Sequence, residues 1–263
     1  MNTASVPKHE FLNSPEYLAI KELVASPLDT AGLHEEFKAL ASRVLSFCDR
    51  SMVVGFLDMQ LECLTRDSMH QTPPVMANGP AGALIVWVAQ PKPVDQWRLR
   101  YLEGLSSASL LDMSVSHRAY RWICGDRPQF RMLTPDRAIE IDRFDPDVTL
   151  VERERCLMGE NALLHAAAGS VIQVEAAASA VLCEFISPPV LSYKWSFDRD
   201  TLCASRISFA SLRLGRLQFL ISAAKHVLPA AVLPQIEVLL QHPDPWIRSC
   251  AQEQLRALER TTA

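Results

Sequence analysis

The spacing of apolar residues changes twice along this chain, and the two changes divide it into three stretches. Through the first they recur every three or four positions, the period of a helix with one buried face. Ser14-Pro15-Glu16 has the form of a helix start: a capping hydroxyl, a proline at the first helical position and an acid in the first turn. Tyr17, Leu18, Ile20, Leu23 and Val24 follow on one face. Asp29-Thr30 opens a second helix whose stripe is Leu33, Phe37, Leu40, Ala41, Val44, Leu45 and Cys48. Met52, Val53, Phe56, Leu57, Gln60, Leu61 and Leu64 fit a third helix better than a strand. Pro73-Pro74 through Asn78-Gly79-Pro80 breaks the pattern and marks a boundary.

From residue 82 to 209 the apolar runs shorten to four to eight residues, rich in β-branched and aromatic side chains, with turn signals between them. Leu84-Ile85-Val86-Trp87-Val88 reads as a strand, and Gln96 to Tyr101 alternates, with Trp97, Leu99 and Tyr101 on one face. Further strands are expected at Val115–Ile123, Phe130–Leu133, Ala138–Ile141, Thr149–Glu154, Ala162–Ala166, Val171–Glu175, Ala180–Ile186, Leu191–Phe197 and Cys203–Phe209. Their spacing, with no helices between, predicts an antiparallel barrel or sandwich and not a parallel sheet. The helical period returns at Leu212. One helix ends before Pro229, a second spans Ala231 to Leu240, and a third runs from Pro245 to Leu258 after the Pro243-Asp244-Pro245 turn. The fold class is α+β: N-terminal helices over 1–78, a central antiparallel β-barrel or sandwich over 79–210, and C-terminal helical hairpins over 211–263.

Composition narrows the partners. A formal net charge of −4 without a basic tail argues against nucleic acid. The seven cysteines include no C-x-x-C pair and sit in apolar runs, as small buried hydrophobes in a reducing cytoplasm would. The polar N-terminus has no signal-peptide core, and no apolar run reaches the ~20 residues that span a bilayer, so a soluble cytoplasmic protein without a membrane partner is expected.

Two resemblances follow from particular residues. Leu239-Leu240, Pro243-Asp244-Pro245, Ile247-Arg248, Ala251 and Leu255 resemble one HEAT repeat, covering 229–260. Such a helix pair cannot bury its apolar face alone, so the resemblance implies that it packs on the β region or on a partner, a second copy included. The segment Ala168-Gly169-Ser170-Val171-Ile172-Gln173-Val174-Glu175 resembles the second motif of a cupin barrel, with Ser170 where that family has Asp and Glu175 where it has Pro. The first cupin motif, with its His-x-His pair, is absent.

The common catalytic motifs are missing: there is no G-x-S-x-G elbow, no P-loop and no G-x-G-x-x-G. Glu140-Ile141-Asp142 beside Arg137 and Arg143 reads as a solvated face. What remains is arginine interleaved with rings, in Trp97-Arg98-Leu99-Arg100-Tyr101 and His117-Arg118-Ala119-Tyr120-Arg121-Trp122. If these line a barrel mouth, Arg98, Arg100, Arg118 and Arg121 would grip a small anion, with Tyr193-Lys194-Trp195 on the same cavity. The expected function is that of a non-catalytic protein that binds a small anionic ligand or a protein partner, without a cofactor. The alternative is a metal-dependent oxygenase or isomerase of cupin type, with iron held by His117, His165 and Glu175 or Glu184.

Overall fold

The computed structural model of the chain describes residues 10–28, 33–66, 75–89, 110–139, 144–175, 179–227 and 229–262. Three helices come first: α1 (Pro15–Val24), α2 (Leu33–Ser46) and α3 (Arg50–Arg66). Ser14 caps α1 as its sequence predicts, its hydroxyl accepting from the Tyr17 amide at 3.3 Å. Phe37, Ala41 and Val44 of α2, with Cys48 just beyond its end, recur every three or four residues and are all buried. The Met52–Leu64 stretch is helical, as preferred.

Eleven strands follow among the described residues: β1 (Val75–Gly79), β2 (Gly82–Ala89), β3 (Leu110–Asp112), β4 (Arg118–Gly125), β5 (Gln129–Pro135), β6 (Leu150–Leu157), β7 (Leu163–Ala166), β8 (Val171–Glu175), β9 (Ala180–Ile186), β10 (Tyr193–Asp198) and β11 (Ala204–Phe209). All ladders are antiparallel. A first sheet has the order β1-β2-β9-β4-β7, a second β11-β10-β3 and a third β6-β5-β8.

Three expectations need correction. Among the described residues the sheets do not close into a barrel. The second and third are stitched by the Thr149–Cys203 bridge, and the loop after β3 is tied to the β7–β8 turn by Gly169 N–H to the Ser114 carbonyl and Ser114 N–H to the Ser170 carbonyl, each 2.8 Å. Local alternation encodes which face of a strand is apolar, but closure depends on which distant edges pair. The break expected around 71–80 holds β1, because Gly79 and Gly82 end a hairpin there. Gly82, at φ 151°, has no room for a side chain: a Cβ would sit 2.4 Å from the Ile186 carbonyl oxygen. Ala138 and Ile139, expected in a strand, lie in a loop after β5. The expected Gln96–Tyr101 strand lies outside the described residues.

Alternation along the first sheet divides its faces. Leu84, Val86, Ala119, Cys183 and Phe185 point outward and share one core with Ile20, Val24, Phe37, Ala41, Val44 and Phe56 of the helices. Phe37 stacks on Phe185, centroids 5.5 Å apart and planes at 8°. Ile85, Trp87, Tyr120, Leu164 and Leu182 point the other way and pack on Phe130 of β5. Behind them Leu133, Leu150 and Val171 of the third sheet meet Leu111, Trp195 and Phe197 of the second. The layers are therefore helices, first sheet, then the other two sheets.

The chain ends in α4 (Leu212–Val227), α5 (Pro229–Val238), a short 3-10 turn and α6 (Pro245–Thr262). Ile221 and Ile247 of this tail pack on Tyr193 and Phe209, so it leans on the β region. Asp244 caps α6 by accepting from the Trp246 and Ile247 amides, at 2.9 and 3.2 Å. Arg248 reaches back to the His242 and Pro243 carbonyls and holds the turn. Among the described residues no helix is long and apolar enough to cross a membrane.

Candidate ligand cavity

β10 supplies one wall of an apolar hollow. Its alternation sends Tyr193, Trp195 and Phe197 inward, while Lys194 and Ser196 turn the other way. There the Lys194 ammonium and the Ser196 hydroxyl both donate to the buried Asp112 carboxylate, at 2.9 and 2.6 Å. The cavity, of about 300 Å³, lies between β10, the end of β5 and the β7–β8 turn. Met113, Pro135, Ile139, Leu191, Tyr193 and Trp195 make its apolar lining. A second hollow of about 490 Å³ shares Arg137, Ala138 and Trp195 with it. Trp195 is 1% exposed, rests on Phe144 and Phe197, and its indole N–H has no acceptor among the described residues. Arg137 is the charged group of the lining among the described residues, and it pairs with Asp145 at 2.7 Å near the surface.

The β7–β8 turn closes the cavity on another side through Ala168 and Gly169. Gly169 adopts φ 91°, a left-handed conformation that favours glycine. The Gly169 amide donates to the Ser114 carbonyl (2.8 Å), and the Ala168 amide donates to His117 Nδ1 (3.2 Å).

The residues singled out in the sequence scatter. Arg98 and Arg100 lie outside the described residues. Arg118 and Arg121 sit on opposite faces of β4, as their odd spacing requires. Arg118 points inward, donating to Glu184 (3.1 Å) and to the Ser114 hydroxyl (2.8 Å), so its guanidinium is spent on a buried ion pair. Arg121 points toward the helices and holds the Leu45 carbonyl and the Asn161 side chain. Tyr193 does line the cavity, but its hydroxyl donates to Asp244 at 2.8 Å.

His117 and His165 come together, on the helix-facing side of the first sheet. His165 pairs directly with Ala119, which puts it diagonal to His117 on the same face. Glu175 ends β8, in the third sheet, opposite Gln129. The third histidine here is His34 of α2: its Nδ1 lies 3.3 Å from His117 Nδ1, with ring centroids 4.9 Å apart. Because the Ala168 amide donates to His117 Nδ1, that nitrogen carries a lone pair, and His34 Nδ1–H is the donor to it. Burial, then the charge of His34, lowers the pKa of His117; burial, then Lys38 and His34, lowers that of His165. Among the described residues no three His, Cys, Asp or Glu side chains gather as a metal cage.

Sequence reasoning missed His34, although its place three residues before Phe37 puts it on the α2 stripe. It also missed Arg137 and Leu191, for which the only signal was the Leu191, Tyr193, Trp195 alternation that continues past the start of the strand.

No protein-family model matches the chain, and no curated protein sequence matches it, so the HEAT-like and cupin-like resemblances rest on the residues quoted above. Among solved structures the chain is similar to a hydroquinone 1,2-dioxygenase in complex with Cd2+ and 4-hydroxybenzonitrile, at 11% identity over 49% of this chain and 72% of that one, TM-score 0.30. It is similar to the hydroquinone 1,2-dioxygenase of Sphingomonas sp. TTNP3 at 9% identity, over 46% of this chain and 70% of that one, TM-score 0.29. A vicilin from Solanum melongena is similar at 14% identity over 51% of this chain and 33% of that one, TM-score 0.24. Likenesses at these scores carry no activity over to this chain.

Proposed function

We propose that the protein is a non-catalytic binder of a small, mostly apolar molecule, held in the cavity walled by Leu191, Tyr193 and Trp195 with its polar end toward Arg137. The observation that carries this reading is the lining itself: rigid aromatic and aliphatic side chains around a hollow at the small end of the usual ligand-pocket range of about 300–1,000 Å³, with one guanidinium at its border. Ala168 and Gly169, which open the segment that resembles a cupin motif, border the same hollow. An anionic group is accommodated by exchange of Asp145 for the ligand's carboxylate on Arg137, which makes an acid a better ligand than the matching alcohol.

The test is calorimetric titration with 3-phenylpropionate and with 3-phenylpropan-1-ol. Both bind the native protein, and Leu191→Trp, which fills the hollow, abolishes both. Arg137→Ala weakens the acid about ten-fold or more and leaves the alcohol unchanged, since a charge-assisted bond is worth roughly 1.5–3 kcal/mol and only the acid makes one. Equal binding by native and Leu191→Trp protein would sink the reading.

A further inference from the structure

His117 stands between two parts of the fold that share no other polar link among its contacts. On one side its ring meets α2, through His34 Nδ1 at 3.3 Å and Phe37 at 5.6 Å between centroids. On the other it receives the Ala168 amide, and Ala168 with Gly169 forms one wall of the cavity. The His117 backbone cannot follow a movement of either. Its N–H donates to the Ser187 hydroxyl at 3.0 Å and its carbonyl accepts from the Ser187 amide at 2.9 Å. The ring is 8% exposed and one lone pair faces two donors. A neutral imidazole can hold this arrangement; an imidazolium cannot, because both its nitrogens then donate.

We propose that proton uptake at His117 Nδ1 releases the Ala168 amide and loosens the 167–170 turn, so that the cavity holds its ligand near neutral pH and lets it go in mild acid. This rests on the cavity being the ligand site. The direction follows from the groups around the ring. From α2 come His34 and, further out, Glu35 and Lys38, which pair with each other at 2.9 Å. From β7 comes His165, whose Nδ1 is buried without a partner among the described residues. The same face brings Arg121 from β4, tied to the Leu45 carbonyl, and Cys183 from β9, while Arg118 of β4 and Glu184 of β9 turn to the opposite face and pair there. Among these described groups no carboxylate makes a hydrogen bond with the His117 ring that would hold its added proton in place. A charged His117 and the Ala168 amide become two donors facing each other. The turn keeps its other ties, Gly169 N–H to Ser114 and Ser170 N–H to Ala167, so it opens on the cavity side without unravelling.

Two measurements test this, with 3-phenylpropan-1-ol as probe because its charge does not change with pH. Its affinity for the native protein should fall about five-fold or more between about pH 7.5 and pH 4.5, the change lying below the usual histidine value because burial lowers the His117 pKa. His117→Asn, whose side-chain carbonyl can accept from the Ala168 amide but takes up no proton, should bind at neutral pH and lose the pH dependence. Independently of ligand, the Ala168 amide resonance in a ¹⁵N-labelled sample should titrate over the same range in native protein and stay fixed in His117→Asn. Equal affinity at both pH values, or an Ala168 amide that does not move, overturns the coupling while the cavity reading stands. No binding at either pH overturns the cavity reading, and the coupling with it.

Discussion

The Tyr193 hydroxyl donates to the Asp244 carboxylate at 2.8 Å, and that carboxylate also caps α6. One side chain thus starts a helix and fastens it to the sheet that walls the cavity. Asp244→Ala removes the cap and the tie together and should cost about 2 kcal/mol, a cap being worth roughly 0.5–2 and a hydrogen bond to a charged group roughly 1.5–3. Tyr193→Phe removes only the tie and should cost about 1 kcal/mol. The two effects will not add, because they share a bond; chemical denaturation of the single and double variants measures the overlap.

The inner face of the first sheet depends on a second pair. Glu184 has a side chain 1% exposed, and Arg118 is the cation beside it. Arg118→Ala takes the guanidinium away and leaves a buried carboxylate, which should cost about 3–5 kcal/mol in unfolding free energy. The double variant Arg118→Met, Glu184→Leu should recover most of that loss, since two apolar side chains of similar size need no charge partner there. A single variant as stable as native protein in denaturant titration would mean that the pair contributes nothing.

Stability should fall in mild acid for a reason that can be assigned to residues. The pKa values of His117 and His165 lie below the usual histidine value of 6.5 in the folded protein, through burial first and then through neighbouring charges. Below 6.5 the unfolded chain therefore binds more protons than the folded one. Stability is full above that value and is lost as pH falls toward the folded-state pKa. Glu152 behaves differently: bonds from Arg155 and then Arg131 hold its pKa down to about 2, so its contribution is present above the usual carboxylate value of 4.5 and is lost only below it. Thermal melts from about pH 8 to pH 5 should show the histidine part alone, and His117→Asn should flatten it.

Periodicity made most of the elements legible, and it also made their faces legible. The α2 stripe of Phe37, Ala41 and Val44 is the buried face, and the odd separation of Arg118 and Arg121 puts them on opposite sides of β4, against the expectation that both grip one anion. What alternation left open was which face looks at which layer. Both sides of the first sheet are covered, one by helices and one by strands, so an apolar face on β4 or β9 has two possible destinations. For that reason His117 and His165, read as residues of a barrel interior, lie under α2. The cavity was only partly legible: Tyr193 and Trp195 were in view, but Met113 and Arg137 come from loops whose positions no local pattern encodes.

The contact that sets α2 over those histidines is Phe37, 1% exposed and stacked on Phe185. Phe37→Ala should cost about 3–5 kcal/mol, the usual loss when a buried ring leaves a hole. Its second effect is more specific. Phe37 also lies against the His117 ring, so its removal opens space beside His117 and lets water reach it. Burial is the first cause of the low His117 pKa, and relieving it should move that pKa up toward the usual value. Phe37→Leu keeps most of the apolar volume and should shift it much less. The His117 ring resonances, followed by NMR across the same pH range in native protein and both variants, measure this directly. A His117 that titrates identically in all three would mean that Phe37 contributes packing alone and that the ring owes its low pKa to something other than the helix above it.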